Sequence, residues 1–390
     1  MKNLGGQMGS YLRTVPILGM IILSSCSNNM LVERSPLVYS FDGKEYQLEA
    51  ELYPGARFEA GERTDYIMLG QLSPVNDEYR LRIVSGPTKN YVNELKLLIV
   101  DRPAGMELLP GEDGRLYTLS SPAEPRIALD KKLNDLLSLV RQSDDKSWGE
   151  PSHPLSLLTK SPDWDWMDLS FERPRSLPRV KLIIEAVNTL RASLMERDYL
   201  AERGYRSEKE LKKMGELPGE FEDFQKWREE NLTLQIMLWN GDTWELMAKA
   251  QPVGSRAVRK LVFPLNAGEA GGEYIKLRLK TTSLVWRIDR VAIDYSPQRD
   301  IAVREARLIE ARSSSGNRLE GLLRRKDTKY YVATEGESAE LVFRAVPEKK
   351  GSERSCLIKI NGYYQARFPG PGEDIRDELD QLLKKFFDQG

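Results

Sequence analysis

The residues with the most chemical potential lie in Ser161-Pro162-Asp163-Trp164-Asp165-Trp166-Met167-Asp168. Side chains of an extended chain alternate between faces, so this segment would send acids to one side and indoles to the other. Two chemistries fit. An indole has an apolar face beside a polar edge, which suits stacking on a pyranose ring, so Trp164 and Trp166 are candidate glycan contacts. Asp163, Asp165 and Asp168 are candidate calcium contacts, because Ca²⁺ is a hard ion that takes about 6–8 oxygens. The segment lacks the glycine and the distal Glu of an EF-hand loop. A plainer reading packs the indoles under a loop before the apolar strand Leu169-Ser170-Phe171, with at least one of them mostly buried.

Other reactive constellations are sparse. The single histidine, His153, sits in Glu150-Pro151-Ser152-His153-Pro154, a proline-bracketed loop that reads as surface. Cys356 lies in the strand-like run Cys356-Leu357-Ile358-Lys359-Ile360 and reads as a buried apolar filler. As a nucleophile its only histidine partner would be His153. There is no Gly-Lys-Ser/Thr phosphate loop and no dinucleotide fingerprint. Gly268-Glu269-Ala270-Gly271-Gly272 leads into a strand and reads as a turn. Among 59 acids no carboxylate pair can be singled out for glycoside hydrolysis. The sequence therefore assigns no catalytic residue, no metal site and no cofactor beyond the calcium candidates. Lys+Arg is 58 against 59 Asp+Glu, a formal charge of −1, without the basic stripe that nucleic-acid binding needs.

The elements that would carry these residues occur twice. Glu78-Tyr79-Arg80-Leu81-Arg82-Ile83-Val84 and the run from Tyr91 to Asp101 match Glu273-Tyr274-Ile275-Lys276-Leu277-Arg278-Leu279-Lys280 and the run from Trp286 to Asp294. In each, a Glu-Tyr opens a strand of alternating apolar and basic residues, and an aromatic opens the next. Period-two alternation means one buried face and one wet face. Leu133, Leu136, Leu137 and Val140 have helical spacing, as do Leu319, Leu322 and Leu323, and two further strands follow each set. Matched elements in the same order indicate an internal duplication. Trp239-Asn240-Gly241-Asp242-Thr243-Trp244 reads as a hairpin with a structural role.

Between the copies the period changes. Leu190, Leu194, Met195 and Tyr199 have helical spacing, Ser207 and Glu210 form a capping box, and Pro218-Gly219 interrupts the run. Phe221, Phe224 and Trp227 stripe the helix that follows. Ile375, Leu379, Leu382, Leu383, Phe386 and Phe387 outline a C-terminal amphipathic helix. The predicted fold class is mainly β with a helical insertion: two tandem β-sandwiches. Their strand pattern resembles the jelly-rolls of the galactose-binding-like type, a resemblance that carries over no ligand residue.

At the N-terminus, Lys2 and Arg13 precede the apolar run Val15 to Leu23 and the small residues Ser24, Ser25 and Cys26, which is the layout of a secretory signal. The run is too short to span a hydrocarbon core, which needs about 20 residues. Leu23-Ser24-Ser25-Cys26 resembles the lipobox of bacterial lipoproteins. That resemblance implies lipid attachment at Cys26 and, with Ser27 rather than Asp after it, a place in the outer membrane of the cell envelope. The resulting organisation is a lipoprotein signal peptide (1–25), a tether (26–36), a first β-sandwich (37–189), a helical insertion (190–231), a second β-sandwich (232–370) and a C-terminal helix (371–390). The functional expectation is a non-catalytic, lipid-anchored envelope protein acting by binding or scaffolding, with a glycan or an envelope protein as partner. The alternatives are an envelope polysaccharide hydrolase and an accessory lipoprotein of an outer-membrane complex.

Overall fold

Period-two alternation builds the largest share of the regular structure as antiparallel strands. The computed structural model describes residues 35–365, apart from 87, 145, 159–162, 175–178 and 271. The signal segment, Cys26, most of the tether and the C-terminal helix lie outside the described residues.

The chain opens with β1 (Leu37–Phe41), β2 (Tyr46–Glu51), β3 (Arg63–Leu69), β4 (Glu78–Val84) and β5 (Lys89–Arg102). A hairpin of β6 (Glu107–Pro110) and β7 (Leu116–Leu119) leads to β8 (Pro122–Ala123), β9 (Ile127–Asp130), the short helix α1 (Leu137–Val140), β10 (Trp164–Glu172) and β11 (Arg179–Asn188). Three helices follow: α2 (Leu190–Glu202), α3 (Glu208–Glu216) and α4 (Pro218–Asn231). Strands resume with β12 (Leu234–Trp239), β13 (Trp244–Ala250), β14 (Arg259–Asn266), β15 (Tyr274–Thr282) and β16 (Trp286–Asp294). The last stretch holds β17 (Val303–Ala306), β18 (Leu308–Ser313), the short helix α5 (Glu320–Leu323), β19 (Tyr331–Ala333), β20 (Ser338–Arg344) and β21 (Glu353–Gln365).

The fold is mainly β, and the described residues form five sheets. Two sheets, β18-β20-β4-β1-β2 and β17-β5-β21-β3 with β19 also on β5, enclose one apolar cluster that includes Tyr79, Leu81, Leu97, Leu341, Phe343 and Ile358. Two more, β9-β10-β15-β12-β13 and β8-β16-β11-β14, enclose a second with Leu169, Phe171, Leu182, Ile236, Leu277 and Trp286. Strand for strand, the two orders coincide. The coincidence extends to irregularities: β1 and β12 are each bulged against their hairpin partner, between Val38 and Tyr39 and between Ile236 and Met237.

The pairing corrects the expected boundaries. Neither 37–189 nor 232–370 closes on itself. β4 pairs with β20 through Leu81↔Leu341, and β15 pairs with β10 through Leu277↔Leu169. Each unit thus takes the first half of one sequence copy and the second half of the other. The two copies have equivalent pleats, so either half fits either partner, and periodicity within one copy does not reveal the exchange.

Burial patterns follow the layering. β4, β10, β12, β15 and β20 alternate because one face is wet. β11 and β16 are buried almost throughout because both faces are covered, the polar residues of one face included. The outer cover is the β6–β7 hairpin, wedged between the units. Leu109 and Leu119 pack on Ile183, Val262 and Ala292, while Leu108 packs with Val100 and Leu357. The sheets that carry β4 and β15 therefore lie on the far sides of their cores and turn one face to solvent.

Helices α2 to α4 leave one unit and cover the core of the other. Thr189 caps α2 by accepting from Arg191 N at 3.1 Å, Ser207 caps α3 by accepting from Glu210 N at 3.3 Å, and Pro218 opens α4. Tyr199, Leu200, Leu211, Met214 and Phe224 join the first cluster, and Trp227 touches both. Glu196 pins this helical layer, bridging Arg57 and the Nε of Arg228, the latter at 2.5 Å. Arg228 Nη1 also donates to the Gly55 carbonyl at 3.2 Å. Gly55 has φ +82°, and a Cβ there would meet Arg228 at 2.0 Å, so only glycine fits.

A second buried ion pair holds the hairpin connection. Lys181 Nζ lies 3.0 Å from Asp294, and the same carboxylate accepts from Ser120 N and Ser121 N, each at 2.9 Å. Burial alone would raise the Asp294 pKa, but hydrogen bonds from Ser296, Ser121 N, Lys181 and Ser120 N outweigh it and hold the group below the ordinary carboxylate value. Asp294→Asn should cost about 3–5 kcal/mol in urea unfolding at neutral pH, because it leaves a buried ammonium without its anion. A depressed carboxyl stabilises above its unfolded pKa and loses that contribution as pH falls through its folded pKa. The gap between variant and wild type should therefore narrow below about pH 4. A gap that is the same at neutral and acid pH would contradict this assignment.

Candidate aromatic binding face

The outward face of the sheet containing β15 gathers the chemistry. Ile275, Leu277 and Leu279 of β15 point into the core, which sends Lys276, Arg278 and Lys280 outward. On β10, Met167, Leu169 and Phe171 are buried, so Trp164, Trp166 and Asp168 share the outer face. Register sets Trp166 opposite Lys280 and Asp168 opposite Arg278. Gln235, Met237 and Trp239 of β12 also face out, and Trp239 closes the β12–β13 hairpin against Trp244. Four of the seven tryptophans thus occupy one solvent-facing surface.

Arg278 is the hub. Its Nε and Nη2 reach Asp168 Oδ1 and Oδ2 at 2.7 and 2.8 Å, a bidentate pair. Held flat this way, its guanidinium lies 4.4 Å from the Trp244 ring centre and 5.0 Å from that of Trp166. Lys280 Nζ lies 4.6 Å from the Trp164 ring. Trp239 and Trp244 meet edge to face, with centres 5.4 Å apart. The turn beneath them is built by Asn240, whose Oδ1 accepts from Asp242 N and Thr243 N, each at 2.9 Å, with Gly241 at φ +118°.

The other unit carries the same frame. Asp42 Oδ1 accepts from Lys44 N and Glu45 N at 2.7 and 2.9 Å, and Phe41 faces Tyr46 across that hairpin at 5.4 Å. Arg82 lies 4.0 Å above the Tyr46 ring and pairs with Glu340. Tyr46 also donates to Glu340, and burial followed by that carboxylate pushes the phenol up to about 12. The difference is on β20, where Ser338 lies opposite Val84 at the place where Trp166 lies opposite Lys280.

The indoles are therefore not the core residues that the packing reading expects. Trp164 is 37% exposed and Trp166 is half-buried on the outer face, since their parity is opposite to that of Leu169 and Phe171. The same parity overturns the separation of acids from indoles, because Asp168 lies with the Trp residues. The three calcium candidates do not converge. Asp168 is committed to Arg278, Asp165 accepts from Trp166 N and lies 3.8 Å from Lys131, and Asp163 accepts through its backbone from Ser283 N. Among the described residues no group of three or more His, Cys, Asp or Glu is placed to hold a metal ion. Cys356 is 5% exposed in the first core, and burial pushes its thiol up to about 12, far from a reactive thiolate. His153 sits partly exposed in the loop before β10. Sequence reasoning missed Trp239, Trp244, Arg278 and Lys280 as members of this face. The signal was present in the Lys-Leu-Arg-Leu-Lys alternation of β15.

The sequence matches no family model and no curated protein. Among solved structures, a chain from the atomic structure of Sulfolobus Turreted Icosahedral Virus is 9% identical over 87% of this chain and 98% of its own, with a TM-score of 0.16, too low to carry an argument.

Trp164→Ala should change stability by about 1 kcal/mol or less, the scale of an exposed cation–π contact. Trp286→Ala should cost about 3–5 kcal/mol, since Trp286 is fully buried and its Nε1 donates to Leu232 O at 2.8 Å. Thermal melts of the two variants check this, and an equal drop would place Trp164 in the core.

Proposed function

We propose that this protein is a non-catalytic, lipid-anchored binding protein of the bacterial cell envelope, held at the outer membrane through Cys26. In this reading its two units are jelly-roll-like β-sandwiches with exchanged halves. The outward Trp164-Trp166-Trp244-Trp239 face is its glycan-binding surface. One observation carries the binding role: Trp164 and Trp166 add indoles to a solvent-facing sheet at places where the other unit has Gly336 and Ser338. Indoles offer rigid apolar area to a sugar ring, and Arg278 and Lys280 supply donors for its hydroxyls. The signal segment ending at Leu23-Ser24-Ser25-Cys26 supports the anchor.

The test uses the full-length chain in detergent on an array of bacterial envelope glycans. Wild type should retain at least one polysaccharide class. Trp164→Ala combined with Trp166→Ala should weaken that binding tenfold or more, about 1.4 kcal/mol, with the cooperative melt retained. No retained glycan, or equal retention by the double variant, would sink the reading.

A further inference from the structure

A cavity of about 610 Å³ opens between the two units, within the size range of small-molecule sites. Its long walls are β3 and β14, which are the edge strands of their sheets and hold the same place in the two strand orders. The β6 strand of the wedged hairpin, Gln251, Pro252, Val253 and Val258 add to the lining, with Glu49, Arg102 and Arg354. Each edge strand begins with an arginine, Arg63 on β3 and Arg259 on β14, and both side chains turn toward one carboxylate, Asp65.

Two guanidiniums meet at one carboxylate there. Asp65 Oδ2 accepts from Arg259 Nη2 at 2.9 Å and from Tyr53 N at 3.0 Å, while Arg63 Nη2 stays 3.9 Å away. Asp65 Oδ1 accepts from Tyr66 N at 3.1 Å. The carboxylate carries three hydrogen bonds, and two guanidiniums share its single charge. Among the described residues the Arg63 guanidinium makes no side-chain hydrogen bond, and the side chain remains one-third exposed where it lines the cavity. Arg259 spends only Nη2. Of the other acids of the lining, Glu107 holds Lys260 at 2.9 Å, Glu49 accepts from Gly70 N and Gln71 N, each at 2.9 Å, and Glu112 accepts from Gln251 N at 3.2 Å while its charge also favours the Arg63 guanidinium. Tyr66, Met68, Val258 and Leu261 add apolar wall.

We propose that this cleft is a binding site for a small oxyanion-bearing molecule, with its carboxylate or phosphate held between the open forks of Arg63 and Arg259. A planar guanidinium matches either anion through two parallel hydrogen bonds. This site is separate from the aromatic face and does not depend on it.

The experiment is calorimetric titration of the full-length chain in detergent at matched ionic strength, with inorganic phosphate, galacturonate and neutral galactose as probes. At least one anion should saturate and galactose should not. The better anion assigns the ligand to phosphate or carboxylate chemistry. Arg63→Gln should melt as wild type does in the absence of anion and weaken that binding tenfold or more. Arg63→Lys, which keeps the charge but loses the fork, should fall in between and serves where the Gln variant does not fold. Trp166→Ala should bind the anion unchanged. Binding of neither anion, equal binding of galactose, full affinity in the Arg63 variants, or loss of affinity in Trp166→Ala would each overturn the proposal.

Discussion

The structure depends on a ladder that joins the two ends of the described chain. β21 pairs with β5 from Glu353↔Arg102 to Gln365↔Lys89, across everything that lies between them in sequence. Strands β1 to β5 present an apolar face that nothing nearby can cover, and only the last strands complete their sheets. The second unit is threaded inside this closure, and its own β10 and β11 must wait for β12 to β16. Each core is built from non-local contacts, so folding pays loop-closure entropy before burial rewards it. The exchange also couples the units, since opening one pulls on strands whose chain neighbours sit in the other.

Much of this was legible locally. Alternation located β4, β10 and β15, helical spacing located α2 to α4, and Ser207 with Glu210 marked a helix start, although the Glu210 carboxylate reaches back to Arg206 N instead of Ser207 N. The partner choice was not legible. Leu81 would meet a leucine in either arrangement, Leu341 across the exchange or Leu169 within its own copy. Hydrophobic pattern specifies which face is buried and does not specify which of two equivalent strands lies alongside. The decision sits in the connection after β5, where the β6–β7 hairpin fills the gap between the sheets and carries the chain into the other unit.

The candidate face was half legible. Trp164 and Trp166 are conspicuous in sequence, but their meaning depends on parity relative to Leu169 and on Arg278, a residue of a distant strand. Counting parity through Met167 would have put Asp168 beside the indoles and pointed to a cation facing it. The Arg63–Asp65–Arg259 cluster was not legible, because it forms where two edge strands from different units converge and neither segment has an unusual composition.

An internal repeat also separates what the scaffold requires from what has been added to it. The aromatic pair over an Asx–Gly turn, the arginine flattened on one ring and the acid that holds that arginine are present in both units, as Phe41, Tyr46, Arg82 and Glu340 and as Trp239, Trp244, Arg278 and Asp168. A feature kept in both places fits a structural duty: it closes the hairpin and pins β2 or β13 to the sheet. The stabilisation is modest, since these groups are part-exposed. The places where the units differ are then more informative about function. Trp166 and Lys280 replace Ser338 and Val84, and Trp164 continues β10 outward where the other unit has the Gly336 turn. Enlarging exposed apolar area in one copy, at positions that the other copy fills with small or aliphatic residues, gains nothing for the core. That contrast is what supports the binding role proposed for Trp164 and Trp166.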